Sequence, residues 1–97
     1  MRKLSEIKGE EALDVLAEIL VPIVNIWEDE EVKEGFEKNV ATSVSIAIKN
    51  HRKEIIEIFA AIDGKTYEEE VNEIDLVSLP TSIIELLNEP AIQSLFQ

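Results

Sequence analysis

The spacing of apolar residues constrains this chain more than any other feature, because they recur every three or four positions along most of its length. Between Glu10 and Glu28 they form one stripe, which consists of Leu13, Leu16, Leu20, Ile23, Val24 and Trp27. Acidic residues fall on the opposite side, so the segment predicts an amphipathic helix. Pro22 lies inside it, and an interior proline removes a backbone hydrogen bond and clashes with the preceding turn. We therefore expect a first helix that is kinked near Pro22 or broken there into two helices placed end to end.

The middle of the chain predicts two shorter helices. From about Glu30 to Asn50 the apolar spacing is again helical, although Thr42–Ile48 also alternates as a strand would. We favour a helix, because no nearby segment offers that strand a pairing partner. Glu54–Asp63 predicts a short helix that is apolar on most sides and therefore central in the core, and Gly64 is expected to end it.

The last third of the chain predicts a connector followed by helical turns. Lys65–Asp75 is polar and acidic, so we interpret it as a solvated loop. Ser78–Pro80 opens the next helix with a proline in its first turn, and Asn88–Pro90 breaks that helix and restarts it for a last turn or two. The whole pattern predicts an all-α fold in which residues 1–97 form a single domain, a small bundle of about four to five short helices.

The charge of the chain excludes several classes of partner. Its 97 residues include 21 acidic and 9 basic side chains, a formal net charge of −12. Such a surface repels nucleic acid and anionic lipid, whose binding depends on Lys and Arg. Neither a signal-peptide pattern nor a span of about 20 apolar residues is present. We therefore expect a cytoplasmic protein that binds no nucleic acid and no membrane.

No group of residues in the sequence is suited to catalysis. The chain has no cysteine and one histidine, His51, which we expect to be exposed near a helix junction. A general base needs an orienting partner and a substrate pocket, and the sequence indicates neither. The contiguous acids Glu28–Glu31 lack the alternating ligands and central glycine of a calcium loop, so they predict an acidic helix junction. We expect no enzyme activity, no cofactor and no metal site.

Three stretches together resemble a known family. They are L-S-E-I-K-G-E-E-A-L-D-V-L (Leu4–Leu16), A-I-K-N-H-R-K-E-I-I-E-I-F-A-A-I-D-G (Ala47–Gly64) and V-S-L-P-x-x-I-I-E-L-L-N-E-P-x-I-Q-x-L-F (Val77–Phe96). In overall pattern and order the chain resembles the short form of the tail assembly chaperones of long-tailed phages and of prophages of Gram-positive bacteria. The match covers nearly the whole chain and is poorest over Glu28–Ser45.

This resemblance implies a helical protein that binds the tail tape measure protein and keeps it soluble while the tail tube assembles. In the family a longer form, made by ribosomal frameshifting, grips the tape measure, and the short form coats it or recruits subunits of the major tail tube protein. The resemblance also implies action in the host bacterial cytoplasm and absence from the mature virion.

The residues independently indicate protein binding, because the chain has more apolar surface than so small a domain can easily hide. The contact candidates are those least needed for one small core: Val15, Ile19 and Ile26 on the first helix, with Leu95 and Phe96 at the end. Ordinary core packing is the alternative for each. Binding to repeated sites along a rod-shaped partner also makes self-association an expectation.

Two other functions fit the same composition. An acidic helical protein can imitate DNA and inhibit a nucleic-acid-binding protein, which predicts carboxylates spaced like phosphates. A structural subunit that completes a phage tail or head is the second alternative, and it would remain in the finished particle. Genomic position next to a very long helical reading frame would favour the chaperone.

Overall fold

The computed structural model describes residues 2–95, which form seven α-helices and one short 3₁₀ turn and contain no strand. The 3₁₀ turn covers Leu4–Glu6, and the helices are α1 (Glu10–Trp27), α2 (Glu30–Lys38), α3 (Val40–Asn50), α4 (Arg52–Asp63), α5 (Tyr67–Glu73), α6 (Leu79–Asn88) and α7 (Pro90–Ser94). The predicted all-α class is confirmed, but four to five helices were too few. One additional helix comes from a division of the second predicted helix, and the other lies in the acidic connector.

Helix α1 is continuous, and of its predicted apolar stripe only Ile23 is fully buried. Pro22 lies inside the helix and is itself buried, so a break into two helices at this residue was wrong. The residues that face the core are Val15, Ile19, Pro22 and Ile23. The stripe residues Leu13, Leu16, Leu20 and Val24 are instead exposed. Both arcs of α1 are apolar, and the core cluster that α1 shares with α4 covers only one of them.

The helix predicted over Glu30–Asn50 is divided at Asn39. This residue has an extended backbone, and its side-chain Oδ1 accepts a hydrogen bond from the backbone N–H of Thr42 at 2.7 Å, which caps the start of α3. Helices α2 and α3 then pack closely at Gly35, where an added Cβ would lie 3.1 Å from the Cα of Ser43. The Ser43 hydroxyl donates to the carbonyl of Val32 at 3.1 Å, inside this hairpin. A glycine and a small polar residue therefore set the spacing of the two helices.

Helix α4 is the centre of the core, as the sequence predicted. Ile62 has no solvent exposure, and Gly64 ends the helix in the left-handed conformation that favours glycine (φ 69°, ψ 34°). The N-terminal segment is attached to this end of α4. The backbone N–H of Arg2 donates to Oδ1 of Asp63 at 2.8 Å, and Arg2 Nε donates to the carbonyl of Ile62 at 2.6 Å.

The acidic connector contains a helix, so its interpretation as a solvated loop was wrong. Thr66 Oγ1 accepts from the backbone N–H of Glu69 at 3.2 Å, and Glu69 Oε1 accepts from the backbone N–H of Thr66 at 3.1 Å. This reciprocal pair is a capping box, and the pattern Thr-x-x-Glu is its sequence signature. Glu70, the residue after Glu69, is buried rather than solvated.

Helices α6 and α7 lie across one side of the core, with Pro80 and Pro90 at their N-termini as expected. Helix α7 contributes Ile92 to the core cluster, whose other members are Val15, Ile19, Ile23, Ile58, Ala61 and Ile62. None of the residues Leu79–Asn88 of α6 is fully buried, and only Leu86 packs against this cluster from the outside. Helix α6 is therefore supported from one side and leaves apolar surface between itself and α3.

Candidate functional site

An apolar groove separates α3 from α6. Its α6 side consists of Ile83, Ile84 and Leu87. Its α3 side consists of Val40, Ala41, Val44 and Ile48 together with two polar residues, Ser45 and Lys49. Leu76, Leu79 and Pro80 close one end of a depression of about 540 Å³. Val40 is 50% exposed and Ile84 is 58% exposed, so both edges of the groove are accessible. We call this depression the α3/α6 groove.

The composition of α6 explains why the groove is apolar. Four of the five residues in Ile83–Leu87 are apolar, and a helix can turn only about half of its circumference toward one neighbour. Ile83, Leu86 and Leu87 are half-buried, whereas Ile84 projects from the groove edge. The prolines at positions 80 and 90 limit α6 to ten residues, so the helix cannot extend or shift along α3 to cover more of this surface.

The floor of the groove opens toward a small apolar cavity of about 120 Å³. Val44, Ile48, Ile83 and Leu87 line both the groove and the cavity. The remaining walls are Ile23, Ile26, Ala47, Ile55, Ile58, Phe59, Leu86 and Ile92. Because every wall is apolar, water has no hydrogen-bonding partner there, and cavities of roughly this size in other proteins accept a benzene-sized group.

An aromatic pair marks the second end of the groove. The rings of Trp27 and Phe36 meet edge to face, with centroids 5.9 Å apart and planes at 83°. They line a further depression of about 640 Å³, and Val40, Ile84 and Leu87 belong to both this depression and the groove. The two depressions therefore join into one mainly apolar surface from Leu76 past Ile84 to Phe36, with Asn88 and Gln93 as polar residues at its aromatic end.

The structure separates the five contact candidates that the sequence suggested. Val15 and Ile19 lie in the core at 8% and 4% exposure, so a partner could reach them only if the core opened. Ile26 is half-buried and forms part of the cavity wall. Leu95 is 39% exposed, and Phe96 lies outside the described residues. Of the four candidates within residues 2–95, Ile26 is the one that lines the cavity below the groove.

The groove residues were not among the sequence candidates, although a signal for them exists. The run Ile83–Leu87 has more apolar residues than one helix face requires, and Leu76 and Val77 precede it at 85% and 90% exposure. A second exposed apolar surface is the α1 stripe of Leu13, Leu16, Leu20 and Val24. This stripe is separate from the residues that line the α3/α6 groove.

His51 is partly buried and hydrogen-bonded, so the expectation of an exposed histidine was wrong. Its Nε2 lies 2.7 Å from Oδ2 of Asp29, and its Nδ1 lies 3.7 Å from Oε1 of Glu54. Asp29 also caps α2, where its Oδ1 accepts from the backbone N–H of Glu31 at 2.8 Å. The hydrogen bond with His51 is the main reason why the pKa of Asp29 lies below its usual value. The pair joins the start of α2 to the α3–α4 junction, which is a structural role.

Within residues 2–95 there is neither a metal-ligand cluster nor a helix suited to crossing a membrane. No group of three or more His, Asp or Glu side chains in this range is arranged to hold a metal ion. None of the helices formed by these residues has both the length and the apolarity required to cross a bilayer.

Comparisons with protein-family models, with curated proteins and with solved structures give no match to this chain.

Proposed function

We propose that this protein is a non-enzymatic phage tail assembly chaperone, which binds an amphipathic helix of the tail tape measure protein and keeps that protein soluble during tail tube assembly. The observation that carries the binding role is the continuous apolar α3/α6 groove with accessible edges. The choice of the tape measure as partner rests on the sequence resemblance. The protein acts in the host cytoplasm and is absent from the finished virion.

The shape of the groove suits a helix as its occupant. Two helices form its walls, and a third helix that packs between them would present apolar residues at intervals of three and four. Most of the wall residues are apolar, with Ser45 and Lys49 as the polar exceptions, so the walls discriminate mainly by apolar shape. Such a surface accepts many related segments of a long helical partner, as a coating chaperone must.

One apolar side chain of the partner enters the cavity below the groove. Leu, Ile or Phe has the chemistry and approximate size for a space of about 120 Å³ with apolar walls. Interfaces generally concentrate their binding energy in a few such desolvated anchors. The strong net charge of −12 keeps the exposed remainder of each bound copy in solution.

Co-expression with a tape measure protein from the same genome tests the proposal. The wild-type chain is expected to bring the tape measure into the soluble fraction and to co-purify with it. Ile84→Asp places a charge on the groove edge, and this change is expected to weaken the complex by about 2 kcal/mol, or about thirtyfold in Kd. Leu13→Asp is the matched control, because Leu13 is 68% exposed but lies on the α1 stripe.

The outcomes test two claims separately, the position of the binding surface and the chaperone function. Loss of co-purification in Ile84→Asp but not in Leu13→Asp supports both. Loss in Leu13→Asp alone moves the binding surface to α1 and contradicts the role of the groove. A tape measure that stays insoluble with wild-type protein, or recovery of this chain from finished virions, contradicts the chaperone function itself.

A further inference from the structure

A polar pocket of about 210 Å³ is lined by residues of α4, of α5 and of the start of α6. Four acidic residues line it: Asp63, Glu70, Glu73 and Asp75. Its other walls are the apolar side chains of Phe59, Ile74 and Leu79 and the small residues Ser78 and Ser82. Lys65 is the basic residue at its edge. The pocket thus combines negative charge with apolar walls.

Glu70 is the unusual member of this group. Its side chain is 94% buried, since its exposure is 6%, and its Oε2 has no hydrogen-bonding partner in residues 2–95. Burial and then the neighbouring Asp63 raise the pKa of Glu70 to about 7. A buried carboxylate oxygen without a donor costs free energy, and native proteins seldom leave such atoms unpaired.

Two of the donors around the pocket, Lys65 and Ser78, are already engaged with other acids. Lys65 forms an ion pair with Glu73. Asp75 Oδ1 accepts from the backbone N–H of Ser78 at 2.7 Å and from its hydroxyl at 3.1 Å. Asp63 accepts from the backbone of Arg2. The side chain of Glu70 shares a hydrogen bond with another acid, Asp63, and its Oε2 has no donor among residues 2–95.

We propose that this pocket binds the terminal cation of an alkyl chain, a guanidinium or primary ammonium group that donates to Oε2 of Glu70. The cation would satisfy the unpaired oxygen and reduce the repulsion between the pocket carboxylates. Its aliphatic stem would lie against Phe59, Ile74 and Leu79. A bare metal ion fits less well, because no three acidic groups of residues 2–95 are arranged as metal ligands.

This chemistry has two possible sources, a Lys or Arg side chain of a bound protein and a free alkylamine of the cell. Both present the same cation on the same kind of stem. The pocket lies apart from the α3/α6 groove, with which it shares only Leu79, so this inference stands independently of the proposed function.

Nuclear magnetic resonance titration of the full chain with n-butylguanidinium tests the proposal. Saturable shifts are expected for the backbone amides of the pocket residues, with a Kd in roughly the millimolar range, since small ligands make few contacts. Guanidinium without a stem is expected to bind about tenfold more weakly, because it leaves the apolar walls uncovered. Mg²⁺ is expected to give only weak shifts that do not saturate.

Two variants with the same change of charge provide the decisive comparison. Glu70→Gln is expected to weaken the binding of n-butylguanidinium about tenfold, because it removes the buried charge. Glu68→Gln, on the exposed side of the same helix, is expected to change it by less than about twofold. Wild-type binding is also expected to weaken between pH 8 and pH 5.5, as Glu70 takes up a proton.

Several results would overturn the proposal. Shifts that stay linear, or that are equal in Glu70→Gln and Glu68→Gln, would indicate diffuse attraction to an acidic surface. Equal affinity for guanidinium with and without the stem would show that the apolar walls do not contribute to binding. Tighter saturable binding of Mg²⁺ would show that the pocket is a metal site rather than a site for an organic cation. A last comparison assigns the source of the cation by measuring the affinities of n-pentylammonium and of a helical peptide with a single Arg. Tighter binding of n-pentylammonium indicates a free alkylamine, and tighter binding of the peptide indicates a protein side chain.

Discussion

Replacing Glu70 by glutamine is expected to make the protein more stable at pH 8 and to leave its stability near pH 4.5 almost unchanged. Folding raises the pKa of Glu70 from 4.5 to about 7, chiefly through burial and then through Asp63. Between these two values the folded state holds a proton that the unfolded state has released. Stability is therefore fully present below the unfolded value and is lost as the pH rises through the folded value.

The magnitude follows from the same two values. At about 1.4 kcal/mol for each pH unit, the interval corresponds to about 3 kcal/mol as an upper value. Lys65 lowers the pKa of Glu70 while Glu73 raises it, and both effects are already included in that value. The wild-type protein should therefore lose up to about 3 kcal/mol of unfolding free energy between pH 4.5 and pH 8, and Glu70→Gln should lack this loss.

Urea unfolding followed by circular dichroism at several pH values between 4.5 and 8.5 measures the effect. The quantity of interest is the difference in unfolding free energy between the wild type and Glu70→Gln at each pH, because contributions from groups remote from Glu70 cancel in it. Glu68→Gln is the control, since Glu68 is exposed on the same helix. A difference that does not change with pH would refute the reasoning, because it would mean that Glu70 titrates in the folded protein as it does in the unfolded chain.

Three further substitutions test the packing that positions the groove. Ala47→Leu adds three carbons toward the cavity, so thermal unfolding should show stabilisation by about 1 kcal/mol. The same change should weaken tape measure binding about tenfold, because it fills the space for the partner's anchor side chain. Gly35→Ala places a Cβ 3.1 Å from the backbone of α3, so it should lower the unfolding free energy measured in urea by about 1 kcal/mol. An unchanged midpoint would mean that the α2–α3 hairpin adjusts freely. Thr66→Ala removes the capping box and should cost about 1 kcal/mol, with faster amide exchange in α5 as its local sign; unchanged exchange there would contradict the assigned cap.

Local signals predicted the helix ends well. Gly64, Pro80 and Pro90 lie where the sequence placed them, because the conformations they favour depend on their own backbone and on few distant contacts. The helix at Tyr67–Glu73 was missed although its capping box is visible in the sequence, since a run of three acids was interpreted as solvated loop. Asn39 was missed for a similar reason, because its cap interrupts apolar spacing that continues on both sides.

The choice of buried face could not be predicted from α1 alone. Two sets of apolar residues lie side by side on this helix. One is the stripe of Leu13, Leu16, Leu20 and Val24, and the other is Val15, Ile19 and Ile26. Their spacing is equally helical, so periodicity alone does not indicate which set is buried. Contact with α4 decides, because Ile58, Ala61 and Ile62 meet Val15, Ile19 and Ile23 in one cluster. The groove has the same origin: α3 and α6 are far apart in sequence, so their shared surface exists only after the chain has folded.

The most direct test of the account is to map the tape measure onto the protein by methyl nuclear magnetic resonance of the co-purified complex. The account predicts that the largest shifts and the strongest protection from solvent occur at Val40, Ile84 and Leu87 in the α3/α6 groove. Largest effects at Leu13 and Leu16 on the α1 stripe, with the groove methyls unchanged, would contradict it.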